Sequence, residues 1–181
     1  MIYLCRESFK GKGTKSSLFY LNSRYCLETG GIKEIVEKFF TDNAMENCFF
    51  VDAKGSGKKL EVFVDKDGGI SYDVCRMLSR HLESIFDEDK RYGESYILDV
   101  SSPGVGSPLK LSRQYRNNVG RTIAVKTAEA KLEGILKEAD ENGCTIEYTL
   151  ETKVDGKKKK EIINHKLNYV DIIEAKIKIS F

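Results

Sequence analysis

Only two histidines, His81 and His165, occur in this 181-residue chain, and that scarcity removes most nucleophile-based chemistry from consideration. A serine or cysteine nucleophile needs an oriented base beside it, and neither histidine stands in a recognisable catalytic setting. Ser101 and Ser102 lie in no G-x-S-x-G elbow and read as turn residues that satisfy backbone groups before Pro103. No catalytic residue is expected. His81 falls beside Met77 and Leu78 at helical spacing, without a partner at ligand spacing, and reads as a residue at the boundary of a core.

Cysteine is present but unorganised. Cys5, Cys26, Cys48, Cys75 and Cys144 are odd in number and show neither C-x-x-C spacing nor Cys/His clustering, which argues against a disulfide framework and a zinc site and fits a reducing cytosol. Asp65 and Asp67 flank a glycine turn without the regular oxygen spacing of a calcium loop. Gly55-Ser56-Gly57-Lys58 lacks the G-x-x-x-x-G-K-[ST] spacing of a phosphate loop and does not open a helix. No metal and no cofactor are therefore expected. No apolar run approaches the roughly 20 residues of a membrane span, and no signal-peptide core follows Met1, so the expected location is the cytoplasm.

Proline is equally sparse, and its placement is informative: both prolines, Pro103 and Pro108, fall within the stretch from Leu98 to Leu109. Tyr96, Leu98 and Val100 alternate with Ile97, Asp99 and Ser101 as a strand does; prolines cannot donate to a continuing ladder, and Gly104 and Gly106 permit positive φ. The strand must stop there. Ser101, Ser102, Pro103 and Gly104 are thus predicted to form an interdomain turn.

Upstream of it, Ile32, Ile35, Val36, Phe39 and Phe40 form one face of an amphipathic helix beginning after Gly31. Cys48 to Ala53 and Leu60 to Asp65 read as two antiparallel strands around a glycine-rich hairpin loop. Ser71 or Tyr72-Asp73 can cap a second helix with Val74, Met77, Leu78, Leu82, Ile85 and Phe86 inside. With Tyr96 to Ser101 this gives an α-β-β-α-β domain over residues 31–104, a sheet covered on one face by two helices. Residues 1–30 carry no sustained period and read as an unstructured extension.

Downstream, Leu111 to Asn118 allows one short helix. Thr122 to Thr127, Lys131 to Ala139, Cys144 to Thr152, Lys159 to Asn164 and Ile172 to Ile179 then read as strands, with Asn168 to Asp171 as a helical turn before the last. Five short strands with Gly-marked bends suit a small SH3-like or Sm-like β-barrel over residues 105–181, so the fold class is α+β.

The charge is unevenly divided. The overall +2 resolves into +3 for residues 1–30, −5 for residues 31–104 and +4 for residues 105–181. The basic half suits an RNA surface and the acidic half a basic protein, or both excesses are solvated surface. Lys110, Arg113, Arg116 and Arg121 surround Tyr115 just after the turn, a candidate RNA contact in which guanidinium forks able to grip phosphates lie beside an aromatic ring. The competing reading packs Tyr115 on the barrel and leaves the cations in solvent. Lys157 to Lys160, on a hairpin, add phosphate contacts or merely solubilise the turn.

Several of these segments, in one order, resemble the bacterial ribosome maturation factor RimP family. They are Leu60 to Asp65 with Lys66-Asp67-Gly68-Gly69-Ile70-Ser71-Tyr72-Asp73, the helix residues Cys75, Leu78 and Ser79, Ser101-Ser102-Pro103-Gly104 with Pro108-Leu109, Gly120-Arg121, and Leu132-Glu133-Gly134-Ile135-Leu136. Together these matches make the likeness extend over about residues 31–181. Family members commonly carry an Asp-Arg pair before Pro-Leu, where this chain has Gly106 and Ser107. The resemblance implies a non-enzymatic factor that binds the immature 30S small ribosomal subunit and promotes its late assembly. Its implied partners are rRNA and ribosomal proteins including the twelfth small-subunit protein, with no membrane partner, and the expected state is a monomer. It also places the family's start near Gly31, so residues 1–30 are either a lineage-specific arm or the product of an upstream start assignment. The alternative from another class is a stand-alone Sm-like RNA-binding module acting on free RNA.

Overall fold

The computed structural model describes residues 29–179 apart from 94, 155 and 156, with backbone alone for 151–159. The extension expected over residues 1–30 lies, save for its last two residues, outside the described residues. Helix α1 (Ile32–Asp42) follows Gly31, whose φ of 79° turns the chain into it, and buries Ile32, Val36, Phe39 and Phe40. Strands β1 (Cys48–Ser56) and β2 (Lys59–Lys66) pair antiparallel, with a bulge between Phe50 and Asp52. The hairpin runs further than predicted because the ladder closes up to Ser56 and Lys59 around a two-residue turn.

Helix α2 (Tyr72–Asp89) is the crossover that lets β3 (Ile97–Ser101) lie parallel to β2. The sheet order is β1-β2-β3, and the central strand sends Leu60, Val62 and Val64 under the two helices, completely buried. Two details of α2 differ from expectation. Met77 is 45% exposed while Cys75 is buried, because Cys75, Leu78, Leu82 and Phe86 follow the helical period more closely than a face centred on Met77. Ser71 occupies the N-cap position without a side-chain cap bond. His81 is half-buried and stacks on Phe39 at 4.8 Å between ring centroids, at the rim of this core.

The second half consists of α3 (Ser112–Arg116) and β4 (Thr122–Thr127), β5 (Lys131–Ala139), β6 (Gly143–Val154), β7 (Lys157–Asn168) and β8 (Ile172–Ile177), with a 3₁₀ turn at Tyr169–Asp171. The strands form one antiparallel sheet in the order β7-β6-β5-β4-β8. Among the described residues no pairing joins β7 to β8, so the sheet is open rather than closed on itself. Its core contains Ile123, Val125, Leu136, Cys144, Ile146, Leu167, Ala175 and Ile177. Gly134 faces the backbone of Glu147 so closely that a Cβ there would overlap the Glu147 carbonyl, which explains a glycine in mid-strand.

Between the halves, β3 stops at Ser101 and Gly104 takes a φ of 73°. The hydroxyl that braces this turn belongs to Ser107, which donates to the Pro103 carbonyl; Ser101 and Ser102 do not take that role. Leu109 N–H then donates to the Ala175 carbonyl at 2.8 Å, tying the end of the linker to β8. The mixed α+β class follows from these two sheets and their helices.

Candidate functional site

Helix α3 is too short to be stable alone, and its side chains explain why it forms. Gln114, 3% exposed, accepts from the Lys110 and Leu111 backbone N–H groups at 2.8 and 3.1 Å. Those bonds turn the chain out of the linker into the helix. Tyr115, 4% exposed, packs into the second core with its ring 4.7 Å from that of Tyr169. With these two residues directed inward, Arg113 and Asn117 project towards the first half and Arg116 towards solvent.

Arg113 makes the principal contact between the halves. Its Nε lies 2.8 Å from Asp67 Oδ1, its Nη2 lies 2.5 Å from Asp67 Oδ2, and Nη2 also donates to the Glu46 carbonyl at 3.2 Å. The guanidinium sits 4.7 Å from the centre of the Phe49 ring, so one side chain combines a fork-to-fork ion pair with a cation–π contact. Lys110 Nζ reaches Asp52 Oδ2 at 2.6 Å, and Asn117 donates to the Lys66 carbonyl at 3.2 Å. Electrostatics follow the geometry. The Arg113 hydrogen bonds hold the Asp67 carboxyl below its ordinary range, whereas burial raises that of Asp65 next to it.

A cleft of about 320 Å³ opens along this seam, lined from one side by Asp65, Gly69 and Ile70 and from the other by Asn117, Arg121 and Ile177. Arg121 is exposed and donates to Asn118 Oδ1 at 3.2 Å.

The predicted contact cluster is therefore divided. Tyr115 does not offer a ring face to a nucleobase: burial takes it into the core and drives its hydroxyl pKa upward, so the packing alternative holds for this residue. Arg113 and Lys110 are engaged by Asp67 and Asp52. Arg116, in α3, and Arg121, after the turn that follows it, remain exposed. The side chains of residues 157–159, most of the predicted lysine run, lie outside the described ones. Sequence reading missed the partners Asp52, Asp67, Glu46 and Phe49. The signal that pointed to them was the opposite net charge of the two halves, part of which is spent on holding them together.

These features define a class: an α+β protein of two small sheets, joined by a short linker and closed against each other through a charged seam. Residues 43–106, from the end of α1 through the linker turn, match the model of the RimP N-terminal domain. Over 155 residues the chain is 36% identical to the ribosome maturation factor RimP of Christiangramia forsetii, which covers 83% of this chain and 97% of that protein. The corresponding protein of Flavobacterium psychrophilum is 33% identical over 153 residues, covering 83% and 96%. That of Chlorobium chlorochromatii is 35% identical over 143 residues, covering 66% and 80%. The chain belongs to the RimP family of ribosome maturation factors.

Proposed function

We propose that this chain is a ribosome maturation factor that acts without catalysis, as a monomer in the cytoplasm, by binding the immature 30S small ribosomal subunit and promoting its late assembly. The observation that supports this most directly is that similarity spans nearly the whole length of a relative bearing that name, through both sheets and the linker between them. In this reading residues 31–104 and 105–181 are two modules presented to the subunit in a fixed arrangement. The second is an SH3-like barrel in kind, with its last strand beside its first and a 3₁₀ turn before that last strand.

A factor of this type works by differential affinity: it binds an assembly-competent arrangement of rRNA and protein more tightly than the finished one, and leaves as the latter forms. Arg116 and Arg121, the exposed members of the predicted cluster, are the candidate rRNA contacts there. The acidic module, with Asp52 and Asp67 already neutralised by Lys110 and Arg113, keeps its remaining carboxylates for a basic ribosomal protein such as the twelfth of the small subunit.

Co-sedimentation tests this. The purified protein should travel with immature small subunits through a sucrose gradient and be largely released from mature ones, and free RNA should compete poorly. Equal retention by free RNA would replace this reading with that of a stand-alone RNA-binding module.

A further inference from the structure

We propose that the cleft between the two modules is the docking site for a basic protein segment, one of whose lysine or arginine side chains enters it and pairs with Asp65. This rests on the small-subunit reading above and names, within it, the carboxylate and the walls that a basic ribosomal protein would meet.

The strand pattern makes the opening. β3 ends at Ser101, opposite Phe63, so Asp65 has a ladder partner in β1, at Phe49, and none on its other flank. There the chain turns off through Ser102 and Pro103, and the cleft of about 320 Å³ lies between that turn, Asp65 and the second module. Asp65 is half-buried. Of the roughly four acceptor positions of a carboxylate, one is taken among the described residues, by the Lys66 backbone N–H at 2.8 Å.

The cations around it are engaged elsewhere. Arg113 binds Asp67, and Arg116 acts on the same carboxylate through its charge. Arg121, on the far wall, donates to Asn118. Lys66 borders the cleft, but its charge is felt by the Cys48 thiol in the core beneath the helices. None of the four relieves Asp65: burial and the charge of Asp67 raise its carboxyl pKa, and only the Lys66 N–H lowers it. Its ionisation opposes folding of the free protein, and a cation entering the cleft would reverse that.

The rest of the lining selects the cation. Ile70, Leu109 and Ile177 supply apolar wall, and Val105, 43% exposed, adds to it, so the methylene stem of a lysine or arginine is covered while its head reaches Asp65. A small hydrated ion gains nothing from such walls. An RNA phosphate fits less well still, because Asp65 and the adjacent Asp67 repel it.

The test is Asp65→Asn, which keeps the shape of the side chain and removes its charge, beside Glu88→Gln, which removes an exposed carboxylate outside the cleft. Binding is measured to immature small subunits, to protein-free small-subunit rRNA, and to a short fluorescein-labelled peptide of alternating lysine and alanine. Asp65→Asn should melt no lower than wild type, yet bind the subunits and the peptide about tenfold more weakly and the rRNA equally well. Glu88→Gln should bind all three as wild type does. Wild-type affinity of Asp65→Asn for the peptide or for the subunits, an equal loss on protein-free rRNA, or an equal loss in Glu88→Gln would overturn the docking site. If wild type fails to travel with subunits while peptide binding still depends on Asp65, the docking site stands and the small-subunit reading falls.

Discussion

Arg113 and Asp67, 46 residues apart in the chain, meet in a two-pronged ion pair that joins the second module to the first. Pairs this open to solvent are individually weak, about 0.5 to 1 kcal/mol even with good geometry. A double-mutant cycle of Arg113→Ala and Asp67→Asn should return a coupling of about that size by chemical denaturation. Adding Lys110→Ala to Arg113→Ala should leave circular dichroism unchanged while increasing the radius of gyration in small-angle X-ray scattering. An unaltered scattering curve would mean that the linker alone sets the arrangement.

Acid should act on the two neighbouring carboxyls with opposite sign. Arg113 lowers the folded pKa of Asp67 below its ordinary 3.8, so the stabilisation is fully present above that value and is lost as pH falls through the lower one. The stability difference between wild type and Asp67→Asn should therefore be constant above about pH 5 and vanish in stronger acid. Burial raises the folded pKa of Asp65, so its ionisation opposes folding at neutral pH. Asp65→Asn should accordingly raise the thermal midpoint at pH 7 and lose that advantage on acidification.

Tyr115 serves the second core. Tyr115→Ala removes a ring buried against Tyr169 and should cost about 3 to 5 kcal/mol, unfolding much of the β4–β8 sheet at physiological temperature. Tyr115→Phe keeps the ring and should melt within a few degrees of wild type. Differential scanning calorimetry distinguishes the two; a mild effect of the alanine would contradict the packing role.

On β3 the alternation itself can be tested. Val100 packs against the first core, whereas Ile97 is 61% exposed one strand face away. Val100→Asp should lower the thermal midpoint strongly and Ile97→Asp hardly at all, because only the former places a carboxylate against apolar neighbours. Comparable midpoints for the two variants would mean that the strand register is wrong.

Local pattern carried much of the architecture. The apolar period of Ile32 to Phe40 specified α1, and Thr122 to Thr127 and Lys131 to Ala139 were read with the boundaries that the strands have. Failures arose where a decision depends on what lies across the fold. Tyr115 stands among cations in sequence, and only the position of Tyr169, far along the chain, makes it a core residue. Arg113 carries no sequence mark distinguishing it from Arg116, yet only Arg113 hydrogen-bonds to the Asp67 carboxylate, while Arg116 acts on it through charge alone. Closure of the second sheet likewise depends on β7 and β8 approaching each other, which no local spacing determines.

The linker has a kinetic meaning as well. It is fixed at one end by β3 and at the other by the Leu109–Ala175 hydrogen bond, so only the stretch from Ser102 to Pro108, itself braced by Ser107 on Pro103, spans the two. So short a tether gives each module an effective concentration of the other on the order of millimolar, and a seam opened by thermal motion meets its own partner again before a competitor arrives. Contacts too feeble to hold two separate proteins together thus suffice here to maintain one orientation. A large particle docking on both modules at once meets them already aligned and loses little entropy in ordering them.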